Sequence, residues 1–273
     1  MESFFLSPMF ISIITDCADG NAQVRQQTRY SVLFPGVSSS FTGASSDIEA
    51  AGNLIDVLDA SDDQEGIIAV NVAPRHGAAR KWPNGTPFGY LWIGKILIVC
   101  TIDGEVLSLL KKFGLADHVN VTDIRTVLAF GGYDQEIIDR AATSQFRSFD
   151  YLPRLARIVW DKKEVPSEKL MFADIQDAAL DVWRIDSFGN CKTTLLAEDI
   201  AFEEGAEREI ILNGLAIKAT CYKQLRTVPN YQTGLTMGSS GYGHNRFLEL
   251  VVQGSSAAKH YNITQKDTFQ IAK

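Results

Sequence analysis

The order of apolar runs near the start of the chain constrains its fold more than any other feature. Phe10 to Thr15 (FISIIT) is a β-branched run of strand length. A polar turn follows at Asp16 to Asn21, then helical signals from Ala22 to Leu33 that stop before Pro35-Gly36. Ser46-Asp47 supplies a cap for a second helix, in which Ile48, Ala51, Leu54, Ile55 and Leu58 fall at helical spacing. After the acidic turn Ser61 to Glu65, Ile67 to Val72 (IIAVNV) has the unbroken apolar character of a buried strand. This βαβα-type order predicts an α/β domain.

Further along, Tyr90 to Ile93 and Ile96 to Thr101 flank Gly94-Lys95 and read as a hairpin, and Glu105 to Phe113 reads as a helix ended by Gly114. Gly89 to Lys95 (GYLWIGK) also fits the first seven positions of a phosphate loop. Ile96 stands where Ser or Thr would hold magnesium, and bulky apolar residues fill the loop, so strand-turn-strand is the better reading. Asp161 to Lys169 (DKKEVPSEK) has the polarity of a linker. Beyond it come runs at strand length: Ala179 to Ile185, Lys192 to Leu196, Glu209 to Leu212, Ala216 to Cys221, Phe247 to Val252 and Thr268 to Ile271. The Gly-rich stretch Gly238 to Gly243 could line a ligand, but a flexible surface turn is the commoner outcome for such a composition. The expected architecture is an α/β N-terminal domain over residues 1–165 joined to a smaller, mostly β C-terminal domain over residues 166–273.

With 26 Lys+Arg against 33 Asp+Glu in 273 residues, the net charge is −7. That balance argues against nucleic acid as a partner, because duplex binding needs clustered cations. The longest apolar run, Tyr90 to Ile102, contains Lys95 and is too short to cross about 30 Å of hydrocarbon. Glu2 stands where a secretory leader would be basic, so a cytoplasmic protein with no membrane partner is expected. Cys17, Cys100, Cys191 and Cys221 form no CxxC pair and read as buried free thiols. His76, His118, His244 and His260 have no ligand spacing, so no metal site is expected, and no GxSxG elbow is present.

Position in the predicted fold singles out a few polar residues. Asp16 closes the first strand and His76 follows the strand Ile67 to Val72, and ligands of open α/β sheets gather at such carboxyl ends. Asp16 could accept from a ribose diol or cap the following helix. His76 could serve a ligand or lie in a solvated loop. Ile185 to Asn190 places Asp186, Phe188 and Asn190 in one tight turn, a set suited to an amine, a purine face and a base edge, or to a turn built on Gly189 and Asn190 at positive φ.

Five segments carry a family pattern: Thr15-Asp16 with Asn21; Ser46-Asp47-Ile-Glu-Ala-Ala51; Ile68 to Lys81 (IAVNVAPRHGAARK); Ile185 to Thr193 (IDSFGNCKT); and Phe247 to Ala258 (FLELVVQGSSAA). In order and spacing they resemble the S-adenosylmethionine hydroxide adenosyltransferases, the family that also contains the fluorinating and chlorinating halogenases. The corresponding family patterns are TDFGxxD, SxDIxxAA, VDPGVGxxRR, IDxFGNxxTN and YLEIAVNxGxAA. The resemblance covers nearly the whole chain.

The resemblance implies a homotrimer, with sites between the N-terminal domain of one subunit and the β domain of its neighbour. S-adenosylmethionine is then the substrate, with no cofactor besides. Water or hydroxide attacks the ribose C5′ carbon in line, methionine leaves from the sulfonium, and adenosine is formed. A sulfonium departs as a neutral thioether, so the protein supplies alignment and desolvation. On the family pattern Asp16 holds the ribose, Asp186 the methionine amine, and Phe188 and Asn190 the adenine. The backbone around Ser255, Ser256 and Ala257 closes the purine pocket, and Asn245 with Arg246 stands where the family has Ser-x-Gly. The implied catalytic group is Arg80, His76, Arg147 and Ser148.

Asn21 replaces a family Asp and Asn245-Arg246 the Ser-x-Gly, and the departures nearest the chemistry fall in that group. Ala73 replaces the family Asp and Arg147 its His, so general-base help worth about 10²–10⁴-fold is lost unless His76 or Asp150 supplies it. Ser148 stands at the halide-binding serine of the fluorinating members, but Ala73 lacks their distinctive side chain and their first-domain insertion has no counterpart here. The resemblance therefore implies an S-adenosylmethionine hydrolase, with a non-catalytic adenosine or S-adenosylmethionine binding protein as the alternative and a halogenase or a purely structural trimer behind both.

Overall fold

β1 (Phe10–Thr15) is buried from Ile11 to Thr15 without a break, as a strand covered on both faces must be. It pairs in parallel with β2 (Ser39–Gly43) on one side and β3 (Gly66–Asn71) on the other. β5 (Ile96–Thr101) adds in parallel to β3, and β4 (Phe88–Ile93) folds back antiparallel on β5 with Leu91 opposite Ile98. The phosphate-loop pattern is thus a hairpin. β6 (His118–Thr122) and β7 (Glu168–Met171) complete a sheet of order β2-β1-β3-β5-β4-β6-β7. This computed structural model describes residues 8–72, 86–162, 164–265 and 267–271.

Helices cover both faces of the sheet. Ile11, Ile13, Ile67, Ala69, Leu97 and Val99 share one face by the period of two, and they pack against Tyr30 of α1 (Gly20–Leu33) and Leu152, Leu155 and Val159 of α6 (Arg147–Lys162). α4 (Ile124–Phe130) and α5 (Gln135–Thr143) join the same layer through Val127, Leu128, Ile138 and Ala141. α2 (Asp47–Ala60) and α3 (Ser108–Lys112) pack together, and α2 lies on β1 and β3. Ser46 caps α2 as its sequence predicts, accepting from the Glu49 amide at 3.1 Å.

The chain divides into two units between Gln176 and Asp177. The expected break after residue 165 falls inside the first unit. Asp161 and Lys162 finish α6, Val165 is buried in the helix-covered core, and β7 pairs with β6 through Leu170 opposite Val119. The polar stretch, read as a linker or long connection, ends α6 and begins β7, with residues 164–167 leading from one to the other inside the first unit.

The second unit is built on a sheet of order β14-β10-β11-β12-β13-β9-β8. Its strands are β8 (Val182–Ile185), β9 (Cys191–Leu196), β10 (Glu207–Leu212), β11 (Leu215–Tyr222), β12 (Thr233–Tyr242), β13 (Asn245–Val252) and β14 (Phe269–Ile271). Pairing is antiparallel except between β11 and β12. Leu195, Ile210, Ile217, Leu235, Leu248 and Leu250 form its core with Ala257 and Ala258 of the short helix α7 (Ala257–Tyr261). The Gly-rich stretch is no flexible turn: Gly238 to Tyr242 belong to β12, with a bulge between Met237 and Gly241. A Cβ on Gly238 would lie 2.6 Å from Glu249 Oε1 and one on Gly241 would lie 2.4 Å from the Asn245 carbonyl, so close packing selects both glycines.

Candidate functional site

After β1 the chain moves out to β2, then returns to the other side of β1 for β3. The carboxyl ends of β1 and β3 therefore mark a topological switch point, where open α/β sheets hold ligands. Asp16 leaves β1 at this point and Asn71 ends β3. The Asp16 amide donates to the Asn71 carbonyl at 3.0 Å. In return the Asn71 side-chain amide donates to Thr15 Oγ1 at 3.2 Å and to Asp16 Oδ1 at 3.4 Å. Asp16 does not cap α1; that role belongs to Asp19, which accepts from the amides of Asn21 and Ala22. Thr101, at the end of β5, closes the third strand onto Val72 by donating to its carbonyl at 2.8 Å.

A cavity of about 190 Å³ opens over these strand ends, lined by Asp16, Cys17, Asn71 and Thr101 and by Gln145 to Ser148 at the start of α6. Arg147 Nη2 donates to the Thr86 carbonyl at 3.1 Å, and its guanidinium stands 5.3 Å from the centre of the Phe88 ring. Burial pulls the Arg147 guanidinium below its ordinary value. Ser148 is buried in the same wall. Thr86 Oγ1 is buried in the lining and meets no hydrogen-bond partner among the described residues, so it has a donor and an acceptor to offer a ligand.

Asp150 does not line this cavity among the described residues. Its carboxylate lies 3.8–3.9 Å from the guanidinium groups of Arg29, Arg140 and Arg154, which engage it as their counter-charge. Asp150 is one of the two groups expected to replace the missing base, and it stands among these arginines. The other, His76, lies outside the described residues together with Arg80 and Ala73.

In the second unit the predicted turn forms. Asp186 Oδ1 accepts from the amides of Phe188 and Asn190, both at 2.9 Å, and Oδ2 accepts from the Asn190 side chain at 3.0 Å. Gly189 adopts φ +86°, whereas Asn190 is not among the residues at positive φ. The Gly189 carbonyl accepts from the Ala258 amide at 3.0 Å, which brings the turn onto Ser256, the cap of α7. Asp186, Phe188, Asn190, Ser256 and Ala257 are thus assembled from two distant segments, and Ser255 bridges back to Val252 beside them. Asn245 is not part of this group: it begins β13, at the far end of that strand from Val252, about 23 Å away at strand rise.

Asn71, Thr86, Thr101 and Tyr231 join the residues expected from the sequence. Asn71 was legible as the lone polar side chain in an apolar run, but Thr101 carried no signal until β5 was known to run parallel to β3. Tyr231 lies at φ +63° with 80% of its surface exposed, and a Cβ on Gly254 would sit 4.0 Å from its ring. It therefore shares the loop cluster of Ser255 and Ser256 with Phe188, which is 79% exposed. A non-glycine residue at positive φ presenting a bare aromatic ring suits a ligand-stacking role.

Among the described residues no helix is long and apolar enough to cross a membrane, and no three His, Cys, Asp or Glu side chains group as metal ligands. No protein-family profile and no curated protein matches the chain. In structure it is similar to an uncharacterized conserved protein from Thermotoga maritima, with a TM-score of 0.69 and 15% identity over 96% of this chain and 100% of the other. It is also similar to a conserved hypothetical protein from Thermus thermophilus, with a TM-score of 0.60 and 15% identity over 98% of this chain and 100% of the other. At that identity the two likenesses speak for the fold alone: one chain course, followed along nearly the full length by all three proteins.

Proposed function

We propose that the chain is a divergent member of the S-adenosylmethionine hydroxide adenosyltransferase family and hydrolyses S-adenosylmethionine to adenosine and methionine. The observation that carries this reading is the meeting of Asp16, Arg147 and Ser148 in one cavity at the switch point of the first sheet. Asp16 belongs to the first of the five resembling segments, while Arg147 and Ser148 stand at the family's catalytic positions outside them.

The cavity, at about 190 Å³, is below the usual range of about 300–1,000 Å³ for a small-molecule site. It suits the ribose and an attacking water. Asp16 accepts from the ribose hydroxyls. The Arg147 cation stabilises hydroxide over water beside C5′, and the Ser148 hydroxyl donates to that oxygen. As the C5′–sulfur bond breaks, its electron pair stays on sulfur and methionine leaves neutral at that atom. The new C5′–oxygen bond completes adenosine, and the proton lost by the attacking water passes to solvent. The turn holding Asp186, Phe188 and Asn190, with Tyr231 beside it, supplies amine and adenine contacts, and a homotrimer joins this half-site of one subunit to the cavity of the next.

A second reading, a non-catalytic adenosine or S-adenosylmethionine binding protein, is favoured by the engagement of Asp150 with three guanidinium groups. Incubation with S-adenosylmethionine followed by chromatography separates the two. Adenosine and methionine released in equal amounts supports hydrolysis; adenosine binding without turnover supports the second reading; neither binding nor turnover refutes both.

A further inference from the structure

The corner where α1, α5 and α6 meet holds more positive charge than its surroundings balance. Arg29 Nη1, Arg140 Nε and Arg154 Nη1 lie 3.8, 3.9 and 3.8 Å from one oxygen, Asp150 Oδ1. All three separations exceed hydrogen-bond length, so one carboxylate offsets three cations without satisfying their donors. Arg154 Nη1 turns instead to the Asp150 carbonyl. Arg29 Nη1 is buried and has no hydrogen-bond partner among the described residues.

A fourth guanidinium adds to the excess. Arg25, one turn before Arg29 on α1, stands 4.5 Å from the centre of the Phe149 ring and 5.3 Å from that of Phe146. Arg29 stands 4.4 Å from the centre of the Phe149 ring. Stacking on a ring face leaves the N–H edge of a guanidinium pointing outward for an acceptor. Arg25 is exposed and Arg140 half-exposed, so the cluster is reachable from solvent. Burial and the neighbouring cations Arg140 and Arg25 pull Arg29 below its ordinary value, against the opposing effect of Asp150. Four cations against one carboxylate stand out in a chain whose net charge is −7.

We propose that this corner is a binding site for a small oxyanion of the phosphate class, held by Arg25, Arg29 and Arg140 with Arg154 behind them. A tetrahedral dianion matches the need: several acceptor oxygens, each able to take two N–H donors, and enough charge to offset neighbouring guanidinium groups that one carboxylate leaves uncompensated. The site is separate from the cavity at the strand ends, although Phe146 lies against both, with Arg25 on its ring and the cavity at its other contacts.

Titration of the full chain with inorganic phosphate in a calorimeter, at low chloride, tests the proposal without S-adenosylmethionine. The wild type binds one phosphate per chain. Arg25→Gln combined with Arg140→Gln weakens that binding by about tenfold or more while the thermal midpoint stays within a few degrees, since Arg25 is exposed and Arg140 half-exposed. Asp150→Asn, which removes the competing carboxylate, tightens phosphate binding even where it lowers the thermal midpoint. Absence of saturable binding at millimolar phosphate, or equal affinity in the wild type and the double variant, overturns the proposal. So does a double variant that changes sedimentation state while the wild type ignores phosphate, because the arginines then face a second copy of the chain.

Discussion

Asn71 holds Asp16 from the neighbouring strand: its side-chain amide reaches Asp16 Oδ1 at 3.4 Å and Thr15 Oγ1 at 3.2 Å, so a single residue of β3 fixes the end of β1. Asn71→Ala removes both bonds in a buried setting, and a loss of about 1–3 kcal/mol in unfolding free energy is expected. Adenosine affinity falls with it, because Asp16 is no longer oriented. Asn71→Asp keeps the shape but sets a second carboxylate beside the first, so binding falls further at neutral pH than at about pH 5. Urea unfolding and calorimetry with adenosine check both; an Asp variant that binds equally at the two pH values contradicts the placement.

Phe188 and Tyr231 separate ligand binding from stability. Both rings are about four-fifths exposed, so Phe188→Ala and Tyr231→Ala each leave the unfolding free energy within about 0.5 kcal/mol of wild type. If they stack on a purine, each truncation costs about 1–3 kcal/mol of binding, or about 5- to 150-fold in affinity. Adenosine titration checks this, and unchanged affinity in both variants would remove the stacking platform from the proposed site.

Gly189 has no such tolerance. At φ +86°, a Cβ would lie 2.0 Å from Ser256 Oγ, so Gly189→Ala adds backbone strain to a clash. A loss of about 2–4 kcal/mol is expected. Restoring space with Ser256→Gly in the same chain recovers only the clash portion, which chemical unfolding of the single and double variants resolves.

Alkaline conditions weaken the fold through its buried thiols and phenols. Burial pushes the thiols of Cys100 and Cys191 up to about 12, and it raises the phenols of Tyr30 and Tyr151 as well. Free thiols titrate near about 8.5, so above that pH the unfolded chain releases protons that the folded chain keeps. Their contribution is fully present below about pH 8.5 and is lost as pH rises toward about 12. The urea midpoint is expected to drop steadily from about pH 8.5 to about 10.5. Alkylation at about pH 8 should reach half-buried Cys17 well before the buried cysteines; equal rates at all four would contradict their burial.

The parts of the fold that were legible in the sequence are those whose burial pattern is local. FISIIT and GIIAVN are covered on both faces and so are apolar nearly throughout, and the residues that the α2 spacing picks out, Ile48, Ala51, Leu54, Ile55 and Leu58, are all buried. β2 escaped notice because Ser39 to Gly43 is an edge strand, where one side pairs and little is buried. Pro153 disguised α6, since it lacks the N–H that a helix interior needs; Leu152, Leu155, Ala156 and Val159 hold the helix together by packing instead. β12 was hidden by glycines whose reason lies across the sheet, in Glu249 and Asn245. At the site, Asp16 and Asp186 could be picked out by position at strand ends and turns. The Thr86 hydroxyl, which has no partner among the described residues, and the approach of Arg29 to Asp150 depend instead on segments far apart in the chain.

The contact of Gly189 with Ser256 has a consequence for how such a chain can change over time. Two segments distant in the chain share one small volume, and residue 189 cannot gain a methyl group while residue 256 stays as it is. Growth of the side chain at residue 189 is therefore blocked twice, by the positive φ and by Ser256, whereas residue 256 meets no such bar to a smaller side chain. Genes encoding chains of this fold should keep glycine at residue 189 while residue 256 varies only among small side chains, a record readable without measuring any activity.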